Sequence, residues 1–334
     1  MIAIQRSVGV FSGRWISYCL TNNMPYKLVD CYKNDILEQL EGCNVLLWQM
    51  YQSSPKDVLM AKELVYALDH AGIKVFPNFK TIWHFDDKIG QKYLFESIKA
   101  PLVKSYVFYD KDDAKIWAMN SDFPKVFKLR SGASSANVRL IRNRAQAIRL
   151  INKAFHNGFR QYNPWEGLRE RWRLYKLGHH DIIEVIEGVV RFFIKTKFER
   201  ITGPEKGYVY FQDFIDGCSF DIRVKVIDNK CWAFKRMVRQ NDFRASGSHS
   251  LDFSKDGIPK VVIEQSFELS NKLGLQCIAF DFLISGDNTP YLVEMSYGFG
   301  YDEGENYGYW DSELNWHGEE FDPFGWMIES ALRS

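Results

Sequence analysis

Residues 276–297 read QCIAFDFLISGDNTPYLVEMSY, and this stretch decides the fold. Two apolar runs flank the turn-forming tetrad Ser285-Gly286-Asp287-Asn288, so they form neighbouring strands of a sheet. Each run carries one acid. Asp281 lies amid Ile278, Ala279, Phe280, Phe282 and Leu283, and Glu294 amid Tyr291, Leu292, Val293 and Met295. Strand alternation sets Glu294 and Ser296 on one face, and the short turn lets Asp281 converge with them. Two ionised carboxylates side by side in a low-dielectric setting repel each other and lose hydration worth several kcal/mol each. They need a cation. Paired arginines are one solution; magnesium, a hard ion that shares its shell between carboxylates and phosphates, is the other.

Immediately upstream, residues 262–273 have helical spacing and stop at Gly274. Residues 208–239 read as three strands. In FDIRVKVI, Asp221, Arg223 and Lys225 alternate with Ile222, Val224 and Val226, and Asp228-Asn229-Lys230 turns the chain into CWAFKRMVR. Arg236, Arg239 and Arg244 cluster in KRMVRQNDFRASGS, where cations can stabilise a transferring phosphoryl group and a developing oxyanion; ordinary surface arginines would look the same. The segment YVYFQDFIDG puts Gln212 and Asp213 directly before Phe214 and Ile215. Backbone groups at such a strand end can bond an adenine edge while apolar side chains enclose its ring, although a plain strand terminus has the same pattern.

Further toward the N-terminus, KVFKLRSGASSANVRLI (125–141) reads as two strands joined by a small-residue loop, Ser131 to Asn137. Amides and hydroxyls in such a loop can approach phosphate oxygens, and Lys128 on the entering strand would reach an anion held there. It is not a Walker loop, since no Gly-Lys-Ser/Thr follows. A helix then runs through Ala145, Ile148, Ile151 and Phe155 to Gly158. Residues 159–205 are charge-rich and helical in pattern, with an apolar stretch at 182–194, and read as an inserted element. Their charges suit a solvated face, with a substrate or partner surface as the alternative.

The first 85 residues alternate short apolar strands, at 3–4, 27–31, 45–48 and 73–76, with helices. The clearest helix opens at Ser54-Pro55, places Val58, Ala61, Val65 and Leu68 on one face, and ends at Gly72. This alternation implies a parallel sheet covered by helices. No GxGxxG follows the first strand, which weakens a dinucleotide-binding reading.

Bulk properties exclude several classes. With 334 residues, 46% hydrophobic and 25% charged, the chain has ordinary globular composition. A net charge of +1 gives no reason to expect non-specific nucleic-acid or anionic-membrane binding. No apolar run approaches the roughly 18–20 residues of a membrane span, and MIAIQRSVGVFSGRW lacks the layout of a signal peptide, so a cytoplasmic location is expected. Cysteines at 19, 31, 43, 218, 231 and 277 form no CxxC and suit reduced thiols; with His179 and His180 merely adjacent, zinc is not expected.

Taken in order, Lys88 in HFDDKIGQKYL, Lys128 with its Ser/Gly loop, QDFI, DIRV, RQNDFR and AFDFL…YLVEMS resemble the ATP-grasp superfamily. The run from QDFIDG to NDFRASG is most similar to its carboxylate–amine ligase branch, as in the ribosomal-protein glutamate ligases and glutathione synthetases. The resemblance implies an α/β (α+β) fold with this layout: a parallel-sheet pre-ATP-grasp domain at 1–85, an ATP-grasp subdomain with a phosphate-covering loop at 86–158, the helical insertion at 159–205, and a C-terminal subdomain at 206–334. By the same resemblance, Lys88, Lys128, Ser131, Gly132, Ser134 and Ser135 contact ATP phosphates. Gln212, Asp213, Phe214 and Ile215 form the adenine hinge, and Asp221 or Ser219 lies near the ribose. Asp281, Glu294 and Ser296 hold two magnesium ions, with manganese as a substitute. Arg244 steadies the acyl phosphate, with Arg223 and Arg239 beside it. One departure is Ser296, where the family usually has asparagine, a longer and stronger ligand. The implied activity is ADP-forming amide synthesis; phosphoryl transfer to a small acceptor, or a nucleotide-binding scaffold with a degenerate site, are the alternatives. Tyr309, Trp310, Trp316 and His317 in the aromatic tail suit core packing and a C-terminal cap, or else a sugar ring in an acceptor pocket. The layout resembles ATP-grasp proteins found alongside bacterial surface-polysaccharide synthesis enzymes, which implies a sugar acid and an amino acid as substrates, with a homodimer as one arrangement.

Overall fold

The computed structural model describes residues 1–7, 9–132, 137–176, 178–238, 243–245, 250–302 and 304–333. The chain opens with β1 (Ile2–Gln5), α1 (Val10–Thr21), β2 (Tyr26–Val29), α2 (Ile36–Gln39), β3 (Val45–Leu47), α3 (Pro55–His70), β4 (Lys74–Phe76) and α4 (Phe79–Ile82). It continues through α5 (Lys88–Ser97), β5 (Ser105–Phe108), α6 (Lys111–Asn120), β6 (Lys125–Lys128), β7 (Arg139–Ile141) and α7 (Arg144–Ala154). Helices α8 (Pro164–Lys176), α9 (Ile182–Val190) and α10 (Lys197–Thr202) lead to β8 (Val209–Asp213), β9 (Phe220–Ile227) and β10 (Lys230–Met237). The chain closes with β11 (Leu251–Asp252), α11 (Lys260–Leu273), β12 (Cys277–Ile284), β13 (Pro290–Ser296), β14 (Tyr307–Asp311), β15 (Trp316–Glu320) and α12 (Pro323–Arg333).

Backbone contacts define two compact units. The first comprises Met1–Phe85, Phe95–Pro101 and Gly217–Ser334, and the second Asp86–Leu94 and Leu102–Asp216. The first holds a parallel sheet in the order β2-β1-β3-β4, whose short strands are mostly buried, as the apolar runs required. Helix α3 begins where the sequence placed it: the Ser54 hydroxyl accepts from the Asp57 amide, with Pro55 in the first turn. Ala61, Val65 and Leu68 face the core, but Val58 does not; it is exposed, and Asp57 is buried instead. The first turn is rotated because the Asp57 carboxylate accepts from the Tyr32 hydroxyl and from the Tyr51 amide at 2.6 Å.

The second sheet of this unit runs β13-β12-β9-β10-β14-β15, with β11 on β10. Its pairings are antiparallel. A two-residue turn, with Asp228 at φ 49°, closes the β9–β10 hairpin and sets Asp221 opposite Arg236. Helix α11 stops at Gly274, whose φ of 65° ends the helix in the left-handed region and releases the chain into β12. The aromatic tail forms the β14–β15 hairpin, which the sequence reading left unassigned. Gly308 is required there, since a Cβ would lie 2.1 Å from the Trp316 ring.

In the second unit the sheet order is β5-β8-β6-β7, all antiparallel. Strand β8 therefore belongs to a different sheet from β9 and β10. Its Phe211 packs with Phe127, Trp117 and Phe159 under α6 and α7, each fully buried aromatic contributing about 2–3 kcal/mol. Helices α8, α9 and α10 lie within residues 159–205, the last opened by a capping box of Thr196 and Glu199.

Candidate active site

The sheet register of the first unit brings Asp281, Glu294 and Arg223 side by side. Asp281 pairs directly with Glu294 on β13 and with Arg223 on β9. A bulge follows Asp281, which locally strengthens the twist where the two acids meet. Arg223 donates to both Asp281 oxygens, Nε to Oδ1 and Nη2 to Oδ2, at 2.7 Å each. Arg236 adds a contact from Nη2 to Asp281 Oδ2 at 2.8 Å and grips Asp221 through two bonds of 2.7 and 2.6 Å. Arg236, which the sequence offered only as one of a cluster of cations and to which the resemblance gave no role, is thus the hub. The signal for it was present in the two-residue turn at Asp228-Asn229, which fixes the register that sets Arg236 opposite Asp221.

Burial would push the Asp281 carboxyl up, but the Arg223 and Arg236 guanidiniums override it and hold the group well below the usual carboxylate range. Asp221 goes the other way: burial raises it, against the pull of Arg236. Glu294 and Ser296 are half-buried, and Ser296 pairs with Ala279 rather than with an acid.

The donors fit magnesium as a partial shell. Among the described residues no three His, Cys, Asp or Glu side chains converge on a point. Magnesium, however, is commonly held by one or two carboxylates with phosphates and water completing the octahedron. A carboxylate has about four lone-pair directions; the arginines occupy one on Oδ1 and two on Oδ2 of Asp281. Among the described residues, that leaves one direction on Oδ1 for a cation.

Deeper on the same strand, Lys225 is fully buried and was not anticipated as anything but a face residue. It pairs with the equally buried Glu305 and donates to Gly300 O at 2.7 Å, with the rings of Phe234, Phe299 and Trp232 within 5.0–5.7 Å. Trp232 Nε1 also donates to Glu305 Oε2 at 2.9 Å. Desolvation lowers the Lys225 pKa to about 8 against the opposing attraction of Glu305. This pair ties residues 300–305 to the sheet.

In the second unit Lys88 and the start of the small-residue loop come together. Lys88 Nζ donates to Gly132 O at 2.8 Å, and the Gly132 amide donates to Asp86 at 2.8 Å. Arg130 pairs with Asp87 at 2.6 Å, which raises the guanidinium pKa. Glu205 and Tyr208 secure the same stretch by accepting from Arg130 and Ser131 amides. Burial and the Glu205 charge push the Tyr208 phenol up. Lys128 is buried on β6, opposite Tyr210. Gln212 donates to Ser105 Oγ at 3.0 Å, Asp213 pairs with Lys125 at 2.7 Å, and Phe214 and Ile215 are half-buried beyond the strand end. Ser134, Ser135 and Arg239 lie outside the described residues, and Arg244 is half-buried between two such stretches.

The aromatic tail residues proposed for a sugar pack on one another. Tyr309 stacks on His317 at 4.7 Å, and Trp310 meets Trp316 at 4.4 Å.

The chain has the ATP-grasp fold. No protein-family model matches the sequence, and no curated protein matches it. Among solved structures, the biotin carboxylase domain of Hydrogenobacter thermophilus 2-oxoglutarate carboxylase matches 100% of this chain and 70% of its own, with TM-score 0.60 and 12% identity; it was solved with MgADP, ADP and bicarbonate. The ATP-grasp ligase PsnB, solved with its minimal precursor, matches 99% and 98%, with TM-score 0.57 and 13% identity. D-alanine–D-alanine ligase from Bacillus anthracis, solved with ATP, matches 99% and 97%, with TM-score 0.55 and 14% identity.

Proposed function

We propose that the chain is an ATP- and magnesium-dependent carboxylate–amine ligase that forms an amide through an acyl phosphate. The observation that carries this reading is the direct pairing of Asp281 with Glu294 beside an arginine-bearing strand, within an ATP-grasp fold. Asp281 and Glu294, with Ser296 at the margin, would hold magnesium, which when bound neutralises phosphate oxygens; manganese is an alternative ion. In the second unit we assign Lys88, Lys128, Ser131, Gly132, Ser134 and Ser135 to the triphosphate and residues 212–215 to adenine. In the first, Arg223 is held planar by Asp281 and keeps N–H groups for an anion, with Arg239 and Arg244 as further candidates. Asp221, a ribose contact by resemblance, is engaged by Arg236 through both oxygens, and we assign it the orienting of that arginine.

A carboxylate oxygen attacks the γ-phosphorus and ADP leaves. An amine then attacks the acyl carbon, the arginines stabilise the oxyanion, and phosphate departs as the nitrogen loses its proton. A sugar acid and an amino acid remain the substrates we favour, on the aromatic character of the tail.

The test is ADP release by the protein incubated with ATP, magnesium, and pools of carboxylates and amines. Acceptor-dependent ADP is expected, and its loss in Glu294→Gln. Release of AMP would contradict the acyl-phosphate route. A second reading, a nucleotide-binding scaffold without turnover, is favoured by the capture of Asp281 by two arginines; it gains if nucleotide binds but no pool elicits ADP.

A further inference from the structure

The α8–α9 hairpin exposes an apolar ridge that packing within the chain does not explain. On α9 only Val185 and Gly188 are buried, while Ile182, Ile183, Ile186 and Val189 face solvent. The ridge continues past the helix to Phe193, which is 86% exposed. At spacings of three and four residues these side chains form one continuous stripe. Together they amount to several hundred Å², at or above the largest apolar patch of roughly 300–600 Å² on a typical monomer.

What borders the ridge says what would cover it. Helix α8 alternates aromatics and cations along its exposed side: Trp165, Arg169, Trp172 and Lys176, at helical spacing. Lys176 lies over the Trp172 ring at 5.6 Å, and beyond Phe193 come the exposed Lys195 and Lys197. Of the hairpin's acids, Glu170 pairs with Arg173 at 2.7 Å, Glu187 with Arg171 at 3.4 Å and Glu184 with His180 at 2.5 Å, while Glu166 and Asp181 add two negative charges; beyond the hairpin, Glu199 pairs with Arg160 at 2.8 Å. Against those two acids stand Arg169, Lys176, Lys195 and Lys197, which among the described residues have no carboxylate partner, so the near-neutral total of the chain conceals a local excess of cations beside an aliphatic ridge. Aliphatic side chains at the apex, with tryptophan and basic groups at the margin, match the layering of a bilayer interface, where acyl chains lie beneath anionic headgroups. A second copy of the chain would instead bring the same cations face to face.

We infer that the α8–α9 hairpin docks the protein peripherally on an anionic lipid surface, its Ile/Val/Phe ridge entering the acyl boundary and its lysines and arginines meeting the headgroups. The full chain should be sedimented with vesicles of phosphatidylcholine alone and of equimolar phosphatidylcholine and phosphatidylglycerol. Partitioning to the anionic vesicles is expected to be roughly tenfold or more stronger than to the neutral ones and to weaken with salt. Lys195→Glu/Lys197→Glu and Phe193→Ser should each reduce it roughly tenfold, without moving the thermal unfolding midpoint, because all three residues are exposed. Absence of vesicle binding, or equal binding to both vesicle types, overturns the proposal. So does a concentration-dependent dimer in lipid-free sedimentation equilibrium that Phe193→Ser abolishes, which would identify the occupant as a second copy.

Discussion

Lys225 carries a charge in a place where water cannot reach it, and the energetics follow from its pKa. Its folded value of about 8 lies below the ordinary 10.5, so between those two pH values the unfolded chain binds a proton that the folded chain does not. The penalty for burying the ammonium is therefore present below about pH 8 and is relieved as pH rises toward 10.5, a span worth about 3 kcal/mol. Urea unfolding at a series of pH values should show wild type gaining stability over that window relative to Lys225→Met/Glu305→Gln, which lacks the titration. A flat difference between the two would remove the assignment. The same scale separates the two acids of the candidate site. Asp281 anchors two guanidiniums, so Asp281→Asn should cost about 3–5 kcal/mol by leaving buried cations under-compensated. Glu294 is only half-buried, so Glu294→Gln, which keeps the size of the side chain, should cost less stability than Asp281→Asn. Loss of ADP release in Glu294→Gln is then the cleaner reading of chemistry.

At the scale of elements, the strand that carries Asp281 depends on how α11 ends. Gly274 occupies the left-handed region, where a Cβ is strained, and the added carbon would also press on the Lys80 side chain at 3.2 Å. Gly274→Ala should lower stability by about 1 kcal/mol, seen as a shift in urea midpoint without a change in slope. Asn143→Ala, which removes the cap bonded to the Gln146 amide at 3.1 Å, should cost a similar amount, about 1 kcal/mol. Elements of this kind were legible in the sequence because their causes are local: Ser54-Pro55, Gly274 and the alternation in FDIRVKVI each act within a few residues. Asp281 and Glu294 were legible for the same reason, being joined by one short turn. The hub role of Arg236 was signalled only through the turn at Asp228-Asn229 that sets the register, and the Lys225–Glu305 pair was not legible, since it depends on a loop 80 residues away. Val58 failed differently. Its spacing fitted the buried face, but the two bonds of Asp57 rotated the first turn.

For the whole molecule, a ligand that binds only the folded state raises its stability in proportion to the logarithm of occupancy, about 2.7 kcal/mol at a hundredfold excess over Kd. Magnesium–ATP should therefore raise the unfolding midpoint, and the two compact units give two independent places to remove that effect. Lys88→Ala acts in the second unit, where it deletes the ammonium assigned to the phosphates, while Glu294→Gln acts in the first, at the acid assigned to the metal. If both assignments hold, each variant should lose most of the nucleotide-induced shift while its ligand-free midpoint changes little. The two losses should differ on chelation. With EDTA, wild type should fall to the level of Glu294→Gln, because the metal term is gone from both, whereas Lys88→Ala should remain below wild type with or without metal. A wild-type shift that EDTA leaves unchanged would detach Asp281 and Glu294 from nucleotide binding and leave Asp281 as the arginine-paired acid the sheet already shows.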